Sequence, residues 1–175
     1  MGFSVTIASS IVLIGLLAIF ASFSIAAFQG LRDLTYAAKE YVSRARERLD
    51  VELQLKIETV NATSCNITAK NIGCKAIFLR DQNGFKWNTV LCSYGNSSQW
   101  QSYMIETYEV LEVRVSETNH TFDPQIHCFI NPGEEALIAF NLPNGAPEIP
   151  SQSVVCVTFA SHYGVTANAE AAREQ

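Results

Sequence analysis

The chain has 175 residues, 48% of them hydrophobic and 17% charged, with 12 Lys+Arg against 17 Asp+Glu and a net charge of −5. That apolar content with so small a net charge excludes intrinsic disorder, and an acidic chain lacks the basic footprint that a nucleic-acid binder needs. The distribution of charge also excludes a plain soluble globule, because no charged side chain occurs before Arg32.

The first element runs from Phe3 to Phe28 as an uncharged, apolar stretch with scattered Ser and Thr. It exceeds the roughly 20 residues that a helix needs to cross a hydrocarbon core of about 30 Å. Its hydroxyls are tolerable, since each can bond back to a carbonyl one turn earlier. A cleaved secretory signal would need a basic n-region and a shorter apolar run. A buried core helix would be unusually uniform. A permanent single-pass membrane anchor fits best, and residues 1–30 are read as a transmembrane helix. No basic residue precedes a glycine near the start, so no prepilin-peptidase site is expected at Met1-Gly2.

Orientation is contested. Arg32, Lys39, Arg44, Arg46 and Arg48 follow the span and no base precedes it. The positive-inside rule would therefore place the rest of the chain in the cytoplasm. Asp33, Glu40, Glu47 and Asp50 share that stretch, but acids count little in the rule.

The helix is predicted to continue. Leu31, Leu34, Ala38, Tyr41, Val42, Ala45 and Leu49 form a near-heptad stripe without an interrupting proline. Residues 31–50 read either as a helical stalk, or a seam for another helix, or as a helix packed on its own domain. A helix from Phe3 to Asp50 would be about 70 Å long.

After Asp50 the period becomes two. Val51, Leu53, Leu55 and Ile57 alternate with polar residues, which is a strand with one wet face. Further strands are expected at 66–70, 75–80, 105–116, 125–130, 135–141, 153–160 and 164–168. Asn131-Pro132-Gly133-Glu134 fits a type II turn, Asn71 to Gly73 is a breaker, and Asn83-Gly84 signals a hairpin. Residues 93–102 read as an exposed polar loop. Short strands at this spacing predict an immunoglobulin-like β-sandwich over residues 51–169, with a frayed tail at 170–175. The fold class is thus α+β: a long N-terminal transmembrane helix followed by an all-β sandwich.

Residues 51–175 hold seven bases, thirteen acids and all five cysteines. Cys65, Cys74, Cys92, Cys128 and Cys156 are disulfide candidates whose pairing the sequence leaves open. Sequons place candidate glycans on Asn61, Asn66, Asn96 and Asn119. Cysteines and sequons together favour an external, oxidising location, against the positive-inside reading.

Enzymatic signatures are missing: no Gly-x-Ser-x-Gly elbow, no phosphate-cradling loop, no His-Glu-x-x-His. Cys-x-x-Cys pairs and ligand-like histidine spacings are absent too. His120, Asp123 and His127 form the one cluster worth testing, read as solvated loop residues. Glu134 and Glu135 read as a strand entry. Trp100 and Tyr103 are candidate partner contacts, since such residues dominate hot spots. No cofactor and no catalytic or metal site is expected.

Several motifs also resemble one family. Met1-Gly2-Phe3-Ser4-Val5 with its Ser/Ala-rich apolar continuation resembles the FlaF family of archaellum accessory proteins, and more broadly the archaellins and the FlaG family. Asn66-Ile67-Thr68-Ala69-Lys70-Asn71-Ile72-Gly73, Asn131-Pro132-Gly133-Glu134-Glu135-Ala136-Leu137 and the stretch Val154 to Val165 resemble elements of that family's sandwich. The resemblance implies a stator component in the cell membrane with the β domain extracytoplasmic. Its implied partners are surface-layer protein and FlaG or the filament, with homodimerisation or a higher oligomer plausible. The alternative is an extracellular filament subunit, archaellin-like or pilin-like, with residues 3–50 in the fibre core.

Overall fold

The computed structural model describes residues 2–82, 84–95 and 99–173, without the side chains of 2–6 and 8. The first element is one α-helix, α1 (Gly2–Leu49), of 48 residues. Residues up to Ala45 form one compact unit and Arg46 onward another. The apolar side chains of the helix are exposed on every side, with Ile11, Leu16, Phe20, Phe23 and Phe28 each at least 60% accessible. A helix apolar all round needs lipid or other helices about it, and its length and composition suffice to cross a membrane. Ser22 and Ser24 donate to the carbonyls of Ala18 and Phe20 at 2.9 and 2.8 Å, so neither hydroxyl needs water. Beyond Arg32 the surface changes character: Arg44 and Glu40 form an i,i+4 ion pair at 2.5 Å, and the stripe Leu31, Leu34, Tyr41, Val42, Leu49 lies exposed between charges.

The second unit is an antiparallel β-sandwich. Its strands are β1 (Leu53–Val60), β2 (Ser64–Asn71), β3 (Ile77–Phe78), β4 (Asp81–Gln82), β5 (Phe85–Lys86), β6 (Thr89–Gly95), β7 (Trp100–Ile105), β8 (Tyr108–Val115), β9 (Thr121–Phe122), β10 (Phe129–Ile130), β11 (Glu134–Asn141), β12 (Val154–Ala160) and β13 (Thr166–Ala172). One sheet has the order β1-β2-β11-β8-β9 and the other β13-β12-β6-β7, while β10-β3 and β4-β5 make small ribbons. Period-two burial builds the core between the sheets. Cys65, Ile67 and Ala69 of β2 and Ala136, Ile138 and Phe140 of β11 meet Val90 and Cys92 of β6 and Val155, Val157 and Phe159 of β12, all at most 3% exposed. β1 also packs against β13 across one side of the sandwich.

Two short loops hold the domain's entry. The buried Asn71 side chain donates to the carbonyls of Lys75 and Ile130 at 2.7 and 2.9 Å and accepts from the Gly73 amide at 3.1 Å. Gly73 must be glycine, because a Cβ there would sit 2.4 Å from the Glu52 nitrogen. The 131–134 turn forms as expected, with the Glu134 amide on the Asn131 carbonyl at 3.0 Å and Gly133 at φ +83.

Several boundaries differ from the sequence expectation. The stretch 93–102, read as loop, supplies the end of β6 and the start of β7; outward Leu91 and inward Val90 are both apolar, which hides the alternation. The single strand expected over 105–116 is two, because β7 ends at Ile105 and β8 starts at Tyr108. Of 75–80 and 125–130 only Ile77–Phe78 and Phe129–Ile130 are strand, and β9 was not anticipated. The last strand runs Thr166–Ala172, so Glu170–Ala172 are paired rather than frayed. Its inward residues are Ala167, Ala169 and Ala171, which carry weak strand preference and so gave little signal. The Asn83 half of the hairpin signal lies outside the described residues, but Gln82 does pair with Phe85.

Candidate partner-binding surfaces

The two sheets turn very different outer faces to solvent. On the β13-β12-β6-β7 sheet the outward positions include Thr89, Leu91 and Ser93 of β6, Trp100, Ser102 and Met104 of β7, and Val154, Cys156 and Thr158 of β12. Leu91 faces Met104 directly, and Val154 and Trp100 flank Gly95. These four side chains are 39%, 56%, 41% and 55% exposed. Among the described outward positions of this sheet Glu170 alone is charged. An apolar, nearly charge-free sheet face is the composition of the centre of a protein contact.

β7 is also an edge strand. Its outer side offers unpaired backbone groups, the template for strand addition. Trp100 and Tyr103, singled out in the sequence, lie on opposite faces of it. Trp100 projects outward. Tyr103 points to the core side, stacks on Tyr94 with centroids 5.8 Å apart, and donates to Gln101 Oε1 at 2.6 Å. Met104 and Leu91 join Trp100 on its face instead, a grouping that the cross-strand register makes.

The opposite sheet presents charge. Lys56 and Glu58 pair at 2.8 Å, Arg114 binds Glu135 at 2.6 Å across the β8–β11 ladder, and Glu112 lies 3.6 Å from Arg114. Hydrogen bonds from Lys56 hold the Glu58 carboxyl below the usual range despite burial, with Thr68 and the Arg114 charge adding to the effect. Such a face is well solvated and costly to strip of water.

At one end of that sheet sits a histidine–carboxylate pair. Glu134, 8% exposed, accepts from the Asn131 amide at 2.8 Å and Asn131 Nδ2 at 3.2 Å, and His127 Nε2 lies 2.8 Å from its Oε2. Burial alone would raise the Glu134 pKa; the hydrogen bonds from His127 and Asn131 outweigh it and hold the carboxyl below its ordinary value. His127 is sandwiched near Phe122 and Phe129 at 4.5 and 4.1 Å. The structure therefore corrects one reading, since His127 is a half-buried, partnered side chain, and adds to another: Glu134 starts β11 as expected and also anchors His127. His120 and Asp123 remain exposed and do not complete a cluster; the Asp123 carbonyl merely accepts from the His127 amide at 2.8 Å. A general base requires a positioned nucleophile, and the partners of this pair are an asparagine and two phenyl rings. Its work is to tie the 123–131 loop to β11. Among the described residues no group of three or more His, Cys, Asp or Glu is placed to hold a metal ion.

The described sequon asparagines belong to the five-stranded sheet and its connections. Asn61 and Asn119 are exposed, in the β1–β2 and β8–β9 connections. Asn66 is half-exposed on the outward side of β2, flanked by β1 and β11. Asn96 lies outside the described residues. Cys65 and Cys92 are fully buried, Cys128 and Cys156 partly so, and Cys74 is exposed.

No protein-family model and no curated protein sequence matches the chain. Solved structures do. A protein chain of the archaeal flagellum of Methanospirillum hungatei strain JF1 aligns over 96% of this chain and 93% of its own length, with a TM-score of 0.59 and 14% identity. The archaellum periplasmic stator protein FlaG of Sulfolobus acidocaldarius aligns over 69% of this chain at a TM-score of 0.44, and a chain of the FlaF–FlaG stator complex of the same organism over 67% at 0.42, with 14% and 15% identity. The first of these spans both helix and sandwich. The chain accordingly has the fold of the archaellin-like proteins: one long apolar N-terminal helix followed by an antiparallel β-sandwich.

Proposed function

We propose that this protein is a structural component of the archaellum of the stator kind, held in the cell membrane by α1, with its β domain outside the cytoplasm gripping other proteins. The observation that carries the reading is the partition of α1. Its uncharged part is apolar on all sides, as a lone span in lipid must be, while its last third bears Arg32 to Arg48 and the acids Asp33, Glu40 and Glu47, as a segment in water must. No second span separates that water-facing segment from the β domain, so the two lie on one side of the bilayer. Sequons and cysteines favour the outer side. The resemblance of the opening residues and the Pro-Gly-Glu element to the FlaF family supports the stator role. The charge-free face around Leu91, Trp100 and Met104 is the surface offered to surface-layer protein or to an archaellum partner such as FlaG, with β7 open to strand addition.

A filament subunit is the second reading, favoured by the whole-length likeness to a chain of the M. hungatei flagellum. There α1 would pack in a fibre core. One fractionation separates the two. A stator component sediments with membranes and is released by mild detergent as a small oligomer, while a filament subunit stays in detergent-resistant fibres. Protease added to intact cells should trim residues 51–175 in the stator case. Detergent-solubilised full-length protein should then capture surface-layer protein, and failure of the folded protein to do so would count against the gripping role.

A further inference from the structure

Five cysteines lie in the sandwich unit, and the structure sorts them. Cys74 is exposed in the loop after β2, and Cys128 lies partly buried before β10. Cys156 points outward from β12, opposite Ser93 and Glu170. Cys65 and Cys92 differ from all three. Cys65 is an inward position of β2 in one sheet, and Cys92 an inward position of β6 in the other; both are 0% exposed. Both side chains enter the one core that the two sheets enclose, and each thiol perturbs the other's ionisation. Cys156 is diagonal to Cys92 on the adjacent strand, but successive side chains of a sheet point to opposite faces, so those two sulfurs cannot bridge.

We propose that Cys65 and Cys92 form an inter-sheet disulfide in the mature protein. The oxidant is another disulfide, small or enzyme-borne. One cysteine thiolate attacks it, forming a mixed disulfide and releasing one thiol of the oxidant. The second cysteine then attacks the protein sulfur of that mixed disulfide; the Cys65–Cys92 bond forms and the second thiol leaves. The protons of both cysteines end on the two thiols of the reduced oxidant. Because neither sulfur is accessible in the closed domain, oxidation belongs to the interval before the sheets pack. The bond would tie together strands of different sheets and close the chain between Cys65 and Cys92 into a loop, which restricts the unfolded state.

The test uses full-length protein from its native membranes, denatured in the presence of iodoacetamide so that buried free thiols are trapped as well, and digested without reductant. The expected result is a cross-linked peptide pair joining Cys65 to Cys92, and a fall of roughly 10 °C in the unfolding midpoint of the detergent-solubilised protein when reductant is added. The variant Cys74→Ser/Cys128→Ser/Cys156→Ser should keep both the cross-link and the reductant response. Quantitative alkylation of Cys65 and Cys92, or their pairing with other cysteines, overturns the proposal. The outcome is independent of whether the protein serves a stator or a filament.

Discussion

The two outer faces of the sandwich are built from strands of similar length and register, yet they differ in what they can do. The β1-β2-β11-β8 face carries Lys56, Glu58, Glu112, Arg114 and Glu135 in paired contacts, and the β12-β6-β7 face carries Leu91, Trp100, Met104 and Val154 with scarcely a charge. Charges that already have partners and water gain little from a protein contact. Apolar side chains without neighbours gain the transfer free energy of burial, about 25 cal/mol per Å². On the proposed reading, solubility and recognition fall to separate sheets of one domain.

The largest effect should come from the buried anchor beneath the charged sheet. Glu134→Gln strips the charge from a carboxylate that accepts three hydrogen bonds, and should cost about 2–3 kcal/mol in denaturant unfolding. The same group sets an acid limit. Its folded pKa lies below the ordinary glutamate value of about 4.3, so its contribution is intact above that value and is lost as pH falls through the lower folded one. Glu58 adds to the loss in the same direction. Thermal scans of wild type should therefore fall steeply below about pH 4, and more shallowly for Glu134→Gln.

Next in size is the apolar face. Leu91→Glu with Met104→Glu should lower capture of the partner at least tenfold, about 1.4 kcal/mol, while moving stability by no more than about 0.5 kcal/mol. Binding that survives this pair would shift attention to the β7 edge or the charged sheet. The smallest effect belongs to Arg114→Ala. Its ion pairs are a third exposed, so the loss should stay within about 1 kcal/mol and shrink further in high salt. Partner capture should not change.

The sequence shows the charge partition most clearly. The helix and its uncharged part follow from composition alone, β1 follows from strict alternation, and β11 and β12 follow from short apolar runs bounded by turn residues. The recognition sheet was the least legible part. Its outward residues are nearly as apolar as its inward ones, so the periodicity that marks a strand is weakest there; Leu91 between Val90 and Cys92 is the plainest case. Trp100 was found by residue type, but Leu91 and Met104 became a surface only through cross-strand register. Glu134 and Asn71 were read as punctuation because a turn residue's second task, bonding to a loop 4 to 59 positions away, leaves no local pattern.

The packing of β1 against β13 sets a timetable for biogenesis. The opening and closing strands of the sandwich lie at its two ends in sequence, from Leu53 to Ala172. At ribosomal rates of about 5–20 residues per second, roughly ten seconds separate their appearance. During that interval the helix is complete and free to enter a bilayer, while the head behind it is an unclosed chain. Long-range pairing of this kind is slow, so the polypeptide can be threaded through a narrow translocation channel before it acquires a shape too wide to pass.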